Sequence, residues 1–229
     1  MKANYKNAAV VIPVYNAANY MEILIEEIRN FFPVENIIAV NDGSIDDSSE
    51  ICRSLIKNVI DLPKNKGKGA ALIAGFERAN SLGFSFAFSI DSDLQHKPED
   101  LPRFLEKQNR HQANLVIGRR SFSYKKMPFH RIMSNVITSG IVSSITQRTI
   151  FDSQSGYRLY DLNMIKNLKF RSQRYQFETE VILRIAKLNG IIDFIWIDTL
   201  YSGEKSHISH FRDIWNFIKV ILYFTVSGF

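Results

Sequence analysis

Apolar and polar positions along the first hundred residues follow two alternating patterns. Ala8 to Val14 (AAVVIPV) is a short continuous apolar run, as in a strand buried on both faces. Ala17 to Asn30 follows, with Met21, Leu24, Ile25 and Ile28 recurring at helical spacing. The cycle repeats. Asn36 to Val40 (NIIAV) reads as a second strand, and Ser44 with Asp47 forms a Ser-x-x-Asp capping box that opens the next helix. Asn58 to Leu62 (NVIDL) reads as a third strand, followed by a Lys/Gly loop and a helix from about Ala70 to Ser81. Phe84 to Ile90 (FSFAFSI) is a fourth strand, and Pro98 sits where a first helical turn tolerates proline. Strands separated by helices of this length predict right-handed βαβ units, hence an α/β fold with a mostly parallel, Rossmann-like sheet flanked by helices.

Beyond Gly118 the pattern changes. Ser121 to Arg131 is polar, basic and aromatic and reads as a surface loop. Ile132 to Gln147 is uncharged and rich in Ser and Thr, the pattern of one amphipathic helix. Phe177 to Leu188 predicts a helix ended by Gly190, and Ile191 to Tyr201 a further strand. No linker and no internal repeat interrupts the chain, so residues 1–208 read as one domain and 209–229 as a C-terminal helical extension.

Composition narrows the classes. The 229 residues are 45% apolar and 23% charged, which excludes disorder and collagen-like or low-complexity architectures. With 29 Lys and Arg against 23 Asp and Glu, the formal charge is only +6, and no nucleic-acid-binding motif accompanies it. The lone Cys52 excludes an internal disulfide and a Cys-rich zinc site and fits a reducing compartment. Ala8 to Val14 lacks the small-residue cleavage site of a signal peptide. No stretch reaches the roughly 18 apolar residues of a membrane span, so the expectation is a soluble intracellular protein.

Candidate chemistry collects where parallel α/β sheets bind ligands, beyond the carboxyl ends of the strands. Tyr15 and Asn16 follow the first strand, and Asn41 to Ser44 the second. Lys64 to Gly69 follow the third, and Asp91 to His96 the fourth. Asp91 and Asp93, spaced i, i+2, can turn toward one hard cation with Gln95 adding a neutral oxygen, an environment suited to Mg²⁺ or Mn²⁺. The competing reading is an Asx-type turn leading into the helix near Pro98; the apolar strand running directly into Asp91 favours the metal. His96 reads as a packed or solvated residue rather than a ligand. The Lys/Gly loop lacks Walker spacing, but Gly67 permits close backbone approach, and Lys66 or Lys68 can offset diphosphate charge. Asp42 suits either a turn or an acceptor for a base N–H.

The ordered set IPVYN, NDGSIDD, NKGKGAAL, DSDLQHKPEDL, GRR, DSQSGYR and FETE resembles the family 2 glycosyltransferases of GT-A fold, from Ala8 to about His207. Within that family it looks most like the polyprenyl- or dolichyl-phosphate sugar synthases. The resemblance implies that Pro13, Tyr15 and Asn16 line a nucleotide pocket with Asp42 at the base. It implies that Lys68 and Asp91 lie near the sugar donor, and that Asp93 and Gln95 hold the metal. Arg120 matches the arginine of the Gly-x-Arg segment, and Arg131 a second arginine on the acceptor side. Asp152, Ser155, Gly156 and Arg158 match an Asp-x-x-Ser-Gly-x-Arg stretch. Asn41 stands where many relatives carry aspartate, and Tyr201 to His207 (YSGEKSH) departs from the usual late motif. Many bacterial relatives also continue into transmembrane helices. These departures bear on the acceptor more than on the donor.

The activity so implied is inverting transfer of a sugar from a UDP- or GDP-linked donor to a polyprenyl phosphate. Arg120 and Arg131 would orient that phosphate, which arrives ionised. The alternative acceptor is a saccharide hydroxyl in cell-surface polysaccharide synthesis, for which Asp152 would serve as base. A nucleotidylyltransferase would need a glycine-rich basic first loop, and PVYNAANY is not one. Two features suggest the cytoplasmic face of a membrane. Five of the residues from Arg119 to Arg131 are Arg or Lys and none is acidic. In the tail, Phe211, Ile214, Trp215, Ile218, Leu222 and Thr225 form a stripe while Phe217, Val220, Ile221 and Phe224 occupy other faces. A helix apolar on most sides must be covered, and the expected cover is a membrane interface or a second copy of the chain, ahead of the domain's own core.

Overall fold

A computed structural model describes residues 7–121, 129–200 and 210–226. The chain builds one seven-stranded sheet in the order β3-β2-β1-β4-β6-β5-β7. The strands are β1 (Ala8–Val14), β2 (Ile37–Asn41), β3 (Asn58–Asp61), β4 (Phe86–Ser89), β5 (Leu115–Arg120), β6 (Arg158–Asp161) and β7 (Ile192–Ile197). The helices are α1 (Ala18–Arg29), α2 (Ser48–Leu55), α3 (Lys68–Ser81), α4 (Leu101–His111), α5 (Phe129–Thr146), α6 (Leu162–Ile165), α7 (Phe177–Lys187) and α8 (His210–Val226). All strand pairs are parallel except those of β6, which runs antiparallel to both β4 and β5.

Alternation within β1 divides the interior into two cores. Ala8, Val10, Ile12 and Val14 face α1 and α4, where Met21, Leu24, Ile25, Ile28, Leu101 and Phe104 are buried. Ala9 and Val11 face the other side, against Leu72 and Phe76 of α3 and Val181 and Ile182 of α7. Every residue of β1 is therefore buried, and the strand is apolar throughout rather than alternating. Cys52 lies in the first core, where burial pushes its thiol up to about 12. At pH 8 a disulfide reagent should label the native protein at least about 100-fold more slowly than the urea-unfolded chain. Equal rates would place Cys52 at the surface.

The order of the strands reverses at β1, which has β2 on one side and β4 on the other. A crevice opens at such a switch point. Val11 points its backbone toward β4, accepting from the Ile90 N–H, and Pro13, two residues on, faces the same way. Proline has no N–H to leave unsatisfied where the strands part. A proline inside a central strand is thus accounted for by the cleft beside it.

Four pattern-based expectations change. The capping box does not form: α2 starts at Ser48, and Ser44 Oγ instead accepts the Asn16 N–H at 3.0 Å. Asp46 and Ser48 cap α1 from across the loop, accepting the N–H groups of Ala18 at 3.1 Å and Ala17 at 2.9 Å. The pattern predicts no strand between Ile90 and Ile191, yet β5 and the four-residue β6 lie there, β6 wedged antiparallel between its neighbours. Helix α5 begins at Phe129, so Arg131 belongs to its first turn rather than to a loop. Finally, α8 does pack on the domain: Phe224 is buried against the second core, with Phe217, Val220 and Ile221 partly buried there. Its opposite face leaves Trp215, Ile218 and Leu222 exposed. The side chains of Phe211 and Ile214 lie outside the described residues, as do the Tyr201 to His207 motif and the middle of the basic run. Among the described residues no helix is long and apolar enough to cross a membrane.

Candidate active site

The carboxyl ends of β1, β2, β4 and β5 share one edge of the sheet. Because β6 is antiparallel, its beginning lies there too, and this brings residues 152–156 to the same edge. Reversal of one short strand thus unites motifs far apart in sequence.

Beyond the end of β2, Asp42 is 3% exposed and accepts the backbone N–H groups of Lys66 and Gly67, each at 2.7 Å. Burial raises its pKa despite those two bonds. Accepting one N–H at each oxygen, Asp42 thus clamps the β3–α3 loop. Gly67 has φ +103°, a conformation that suits only glycine, and it turns the chain into α3. Asn16 also has positive φ, 52°, and its side chain accepts the Ile45 N–H at 2.9 Å. Tyr15 is exposed beside it, 39% accessible, at the mouth of the crevice.

Lys68 opens α3, where the helix dipole disfavours a cation. It is held there by two carboxylates, Asp91 Oδ1 at 2.5 Å and Glu178 Oε1 at 2.9 Å. Burial alone would lower the lysine's pKa, but Asp91 and then Glu178 outweigh it and keep the ammonium charged. Burial likewise works against the Asp91 charge, and Lys68 overcomes it, holding the carboxyl below its ordinary range. Gly156 packs against this pair; a Cβ built on it would stand 2.6 Å from Asp91 Oδ2. His96 is 6% exposed, lies 4.0 Å from Asp91 Oδ2 and stacks on Tyr157 with centroids 5.2 Å apart. Burial lowers its pKa to about 4, so at neutral pH it is an uncharged neighbour of the site.

Asp93 follows in a tight turn, accepting the Gln95 N–H at 3.1 Å. This is the Asx turn weighed against a metal site, and it positions the carboxylate without turning it into a helix cap. The next residue, Leu94, has φ +57°, an unusual state for a bulky side chain. The turn is pinned from above, since Gln95 C=O accepts the Leu200 N–H at 3.0 Å and His96 bridges to Thr199. Among the described residues no three of His, Cys, Asp and Glu form a ready-made metal cage. The donor set is instead a few hard oxygens beside a crevice, and Glu178 Oε2 is buried with no hydrogen-bond partner. That set fits Mg²⁺ or Mn²⁺, which bind one or two carboxylates and take the remaining ligands from water and phosphate.

Beyond the end of β5, Arg120 and Asp152 form one bidentate pair, with Nε at 2.8 Å and a terminal nitrogen at 2.9 Å. Asp152 is fully buried and also accepts the Ser155 N–H at 3.0 Å. Burial would raise its pKa; Arg120 reverses this and holds it below the ordinary range. Such a carboxylate is a poor base. The Arg158 guanidinium is fully buried and donates to the carbonyls of Ser155, Glu178 and Ser153 at 2.6, 2.7 and 2.8 Å, so it shapes the 153–158 loop. Replacing Arg158 by Met should leave three buried carbonyls without donors and destabilise the fold by about 3 kcal/mol in urea titrations. Ser155 is buried with its Oγ unpartnered. Arg131 is half-buried in α5.

Residue-by-residue reading missed Glu178, the second partner of Lys68. The available signal was an acidic residue in the first turn of an otherwise apolar helix, within FETE. Arg119 was missed as well. Its guanidinium lies between the rings of Phe151 and Trp196, at 4.0 and 3.9 Å from their centroids, beside Arg120.

Known proteins resemble this arrangement in sequence and shape. The UDP-N-acetylglucosamine–dolichyl-phosphate N-acetylglucosaminyltransferase of Methanococcus voltae is 29% identical over 216 residues, covering 84% of this chain and 85% of that one. The undecaprenyl-phosphate mannosyltransferase of Micrococcus luteus is 28% identical over 189 residues, covering 78% and 77%. Among solved structures, glucosyl-3-phosphoglycerate synthase of Mycobacterium tuberculosis, crystallised with Mn²⁺, UDP-glucose and phosphoglyceric acid, superposes with a TM-score of 0.78 at 18% identity. It covers 95% of this chain and 79% of its own, which is a likeness of fold. The model of Glycosyl transferase family 2 matches residues 9–173, from the first buried strand to the segment before α7. By that match and by the sheet edge it spans, this chain is an enzyme of the family 2 glycosyltransferases, with the GT-A fold.

Proposed function

We propose that the enzyme transfers a sugar from a UDP- or GDP-linked donor to a polyprenyl phosphate, with inversion, at a membrane surface. The observation that carries this reading is the state of Asp152. A saccharide hydroxyl needs a base, and the carboxylate expected to supply one is buried, paired with Arg120 and held at low proton affinity. A phosphate monoester, with a second pKa of about 6, is already a nucleophile near neutral pH. The names of the dolichyl- and undecaprenyl-phosphate relatives point the same way.

In this reading Tyr15 and Asn16 border the base, and the Lys66–Gly67 loop, set by Asp42, borders the diphosphate. Lys68, Asp91 and Glu178 hold the donor sugar, and the charged Lys68 offsets negative charge beside it. Asp93, with Asp91 and Gln95, would hold Mg²⁺ or Mn²⁺, which when bound supplies Lewis-acid stabilisation of the departing diphosphate. The acceptor oxygen attacks the anomeric carbon as the bond to the diphosphate breaks. Arg131 at the start of α5, and Arg120 braced by Asp152, orient the acceptor phosphate. The exposed Met133, Val136 and Ile137 on α5 and the outer face of α8 are the surfaces for peripheral membrane contact.

Labelled UDP- and GDP-sugars, offered with polyprenyl phosphate and Mn²⁺, are expected to put label into the organic phase. Label found only in soluble saccharide would overturn the lipid reading.

A further inference from the structure

A second basic cavity lies on the other side of the β3–α3 loop. It has a volume of about 530 Å³, within the range of ligand sites, and opens in the seam between that loop, the 171–176 segment and α8. Lys64, Lys66, Arg171, Arg174 and Lys219 line it, and Tyr223 forms a wall. None of Tyr15, Asn16, Asp42, Asp91, Asp93 or Asp152 does, and Lys66 is the one lining residue also placed beside the donor diphosphate.

Charge is the unusual feature. Among the described residues the sole carboxylate on the lining is Glu180, and its oxygens are taken by Arg184 at 2.6 Å and by the N–H groups of Arg171 and Ser172. None of the five cations forms an ion pair with another described residue. Five cations without an ion pair among the described residues focus a positive potential on one concave space, Lys66 and Arg174 also acting on the buried Asp42 carboxylate. Arg171 is preset for an oxyanion: its guanidinium lies 4.1 Å over the Tyr223 ring, which fixes its plane. Both inner walls reach the start of α3. Lys66 and Gly67 are clamped by Asp42, and Gln173 C=O accepts the Ala70 N–H at 3.0 Å.

We propose that this seam is a second anion site, taking a phosphate-bearing ligand of at least two negative charges and sitting behind the loop that leads into Lys68. The chemistry suits a free diphosphate or the headgroup of an anionic lipid. It stands independently of the acceptor assigned above.

Trp215 reports on the site, since Lys219 Nζ lies 5.8 Å from its ring centroid. In a Trp196→Phe background Trp215 is the one remaining tryptophan. Inorganic pyrophosphate, titrated without divalent cations at constant ionic strength, should give a saturable fluorescence change. Arg171→Gln with Lys219→Gln should weaken it at least tenfold, whereas Lys57→Gln with Lys166→Gln, remote and exposed, should not. Asp93→Asn should leave it unchanged, which separates this site from the donor cleft. Phosphatidic acid vesicles, whose headgroup is a phosphate monoester, against phosphatidylcholine, form the second arm. Saturation by pyrophosphate, lost in the Arg171/Lys219 variant, supports a free anion. Vesicle binding lost in that variant alone, with no pyrophosphate response, supports a lipid headgroup. If neither responds, or the Lys57/Lys166 control loses binding equally, the proposal is overturned.

Discussion

Asp93→Asn is expected to lower turnover by roughly 10³-fold while leaving the melting temperature within about 2 °C of wild type. Asparagine keeps the carbonyl oxygen that accepts from the Gln95 N–H, so the Asx turn and the strap formed by Thr199 and Leu200 survive. What disappears is one negative charge at the mouth of the crevice. The same variant should lose the part of the thermal shift by nucleoside diphosphate that depends on Mn²⁺ and retain any part that does not. Near-wild-type turnover would remove Asp93 from the site and with it the role proposed for the cation.

Gly156→Ala should be comparably damaging, roughly 10²- to 10³-fold in kcat, for a steric reason. Gly156 is not in the left-handed region, so alanine suits its backbone. Space is what is lacking, since the new methyl would press on Lys68 Nζ and on Asp91 Oδ2. Lysine tips usually move aside, but this one is pinned between Asp91 and Glu178. The methyl must therefore displace the ion pair that we assign to the donor. A double-variant cycle tests this directly. Adding Lys68→Ala should cost less stability in the Gly156→Ala background than in the wild type, because the clash with Lys68 is gone while that with Asp91 remains, and activity stays low. Additive stability losses would show that the methyl strains something other than the Lys68 contact.

The polar residues at the ends of β1 to β4 were legible because they directly follow apolar strands. Tyr15, Asp42, Lys68 and Asp91 each lie within a few residues of a recognisable run, and parallel strands bring their ends to one edge whatever the details of packing. The residues gathered by β5 and β6 were legible as motifs, whereas their contacts were not. Asp152, Arg120 and Arg158 carry the expected residue types, but a charged side chain's role depends on what neutralises it. Arg158 spends its donors on backbone carbonyls, and Asp152 spends its charge on Arg120. Likewise, α8 is apolar on several faces, and only its packing shows that Phe224 is covered while Trp215 is not.

The chain's own pattern determined the parallel layering, the position of the crevice and the identity of most polar residues beside it, since these depend on periods of two and 3.6 and on short-range order. Tertiary structure alone decided that β6 reverses, that Glu178 shares Lys68 with Asp91, and that five cations surround a second cavity. Those outcomes depend on contacts between residues far apart along the chain, and electrostatic partners are chosen by proximity in space.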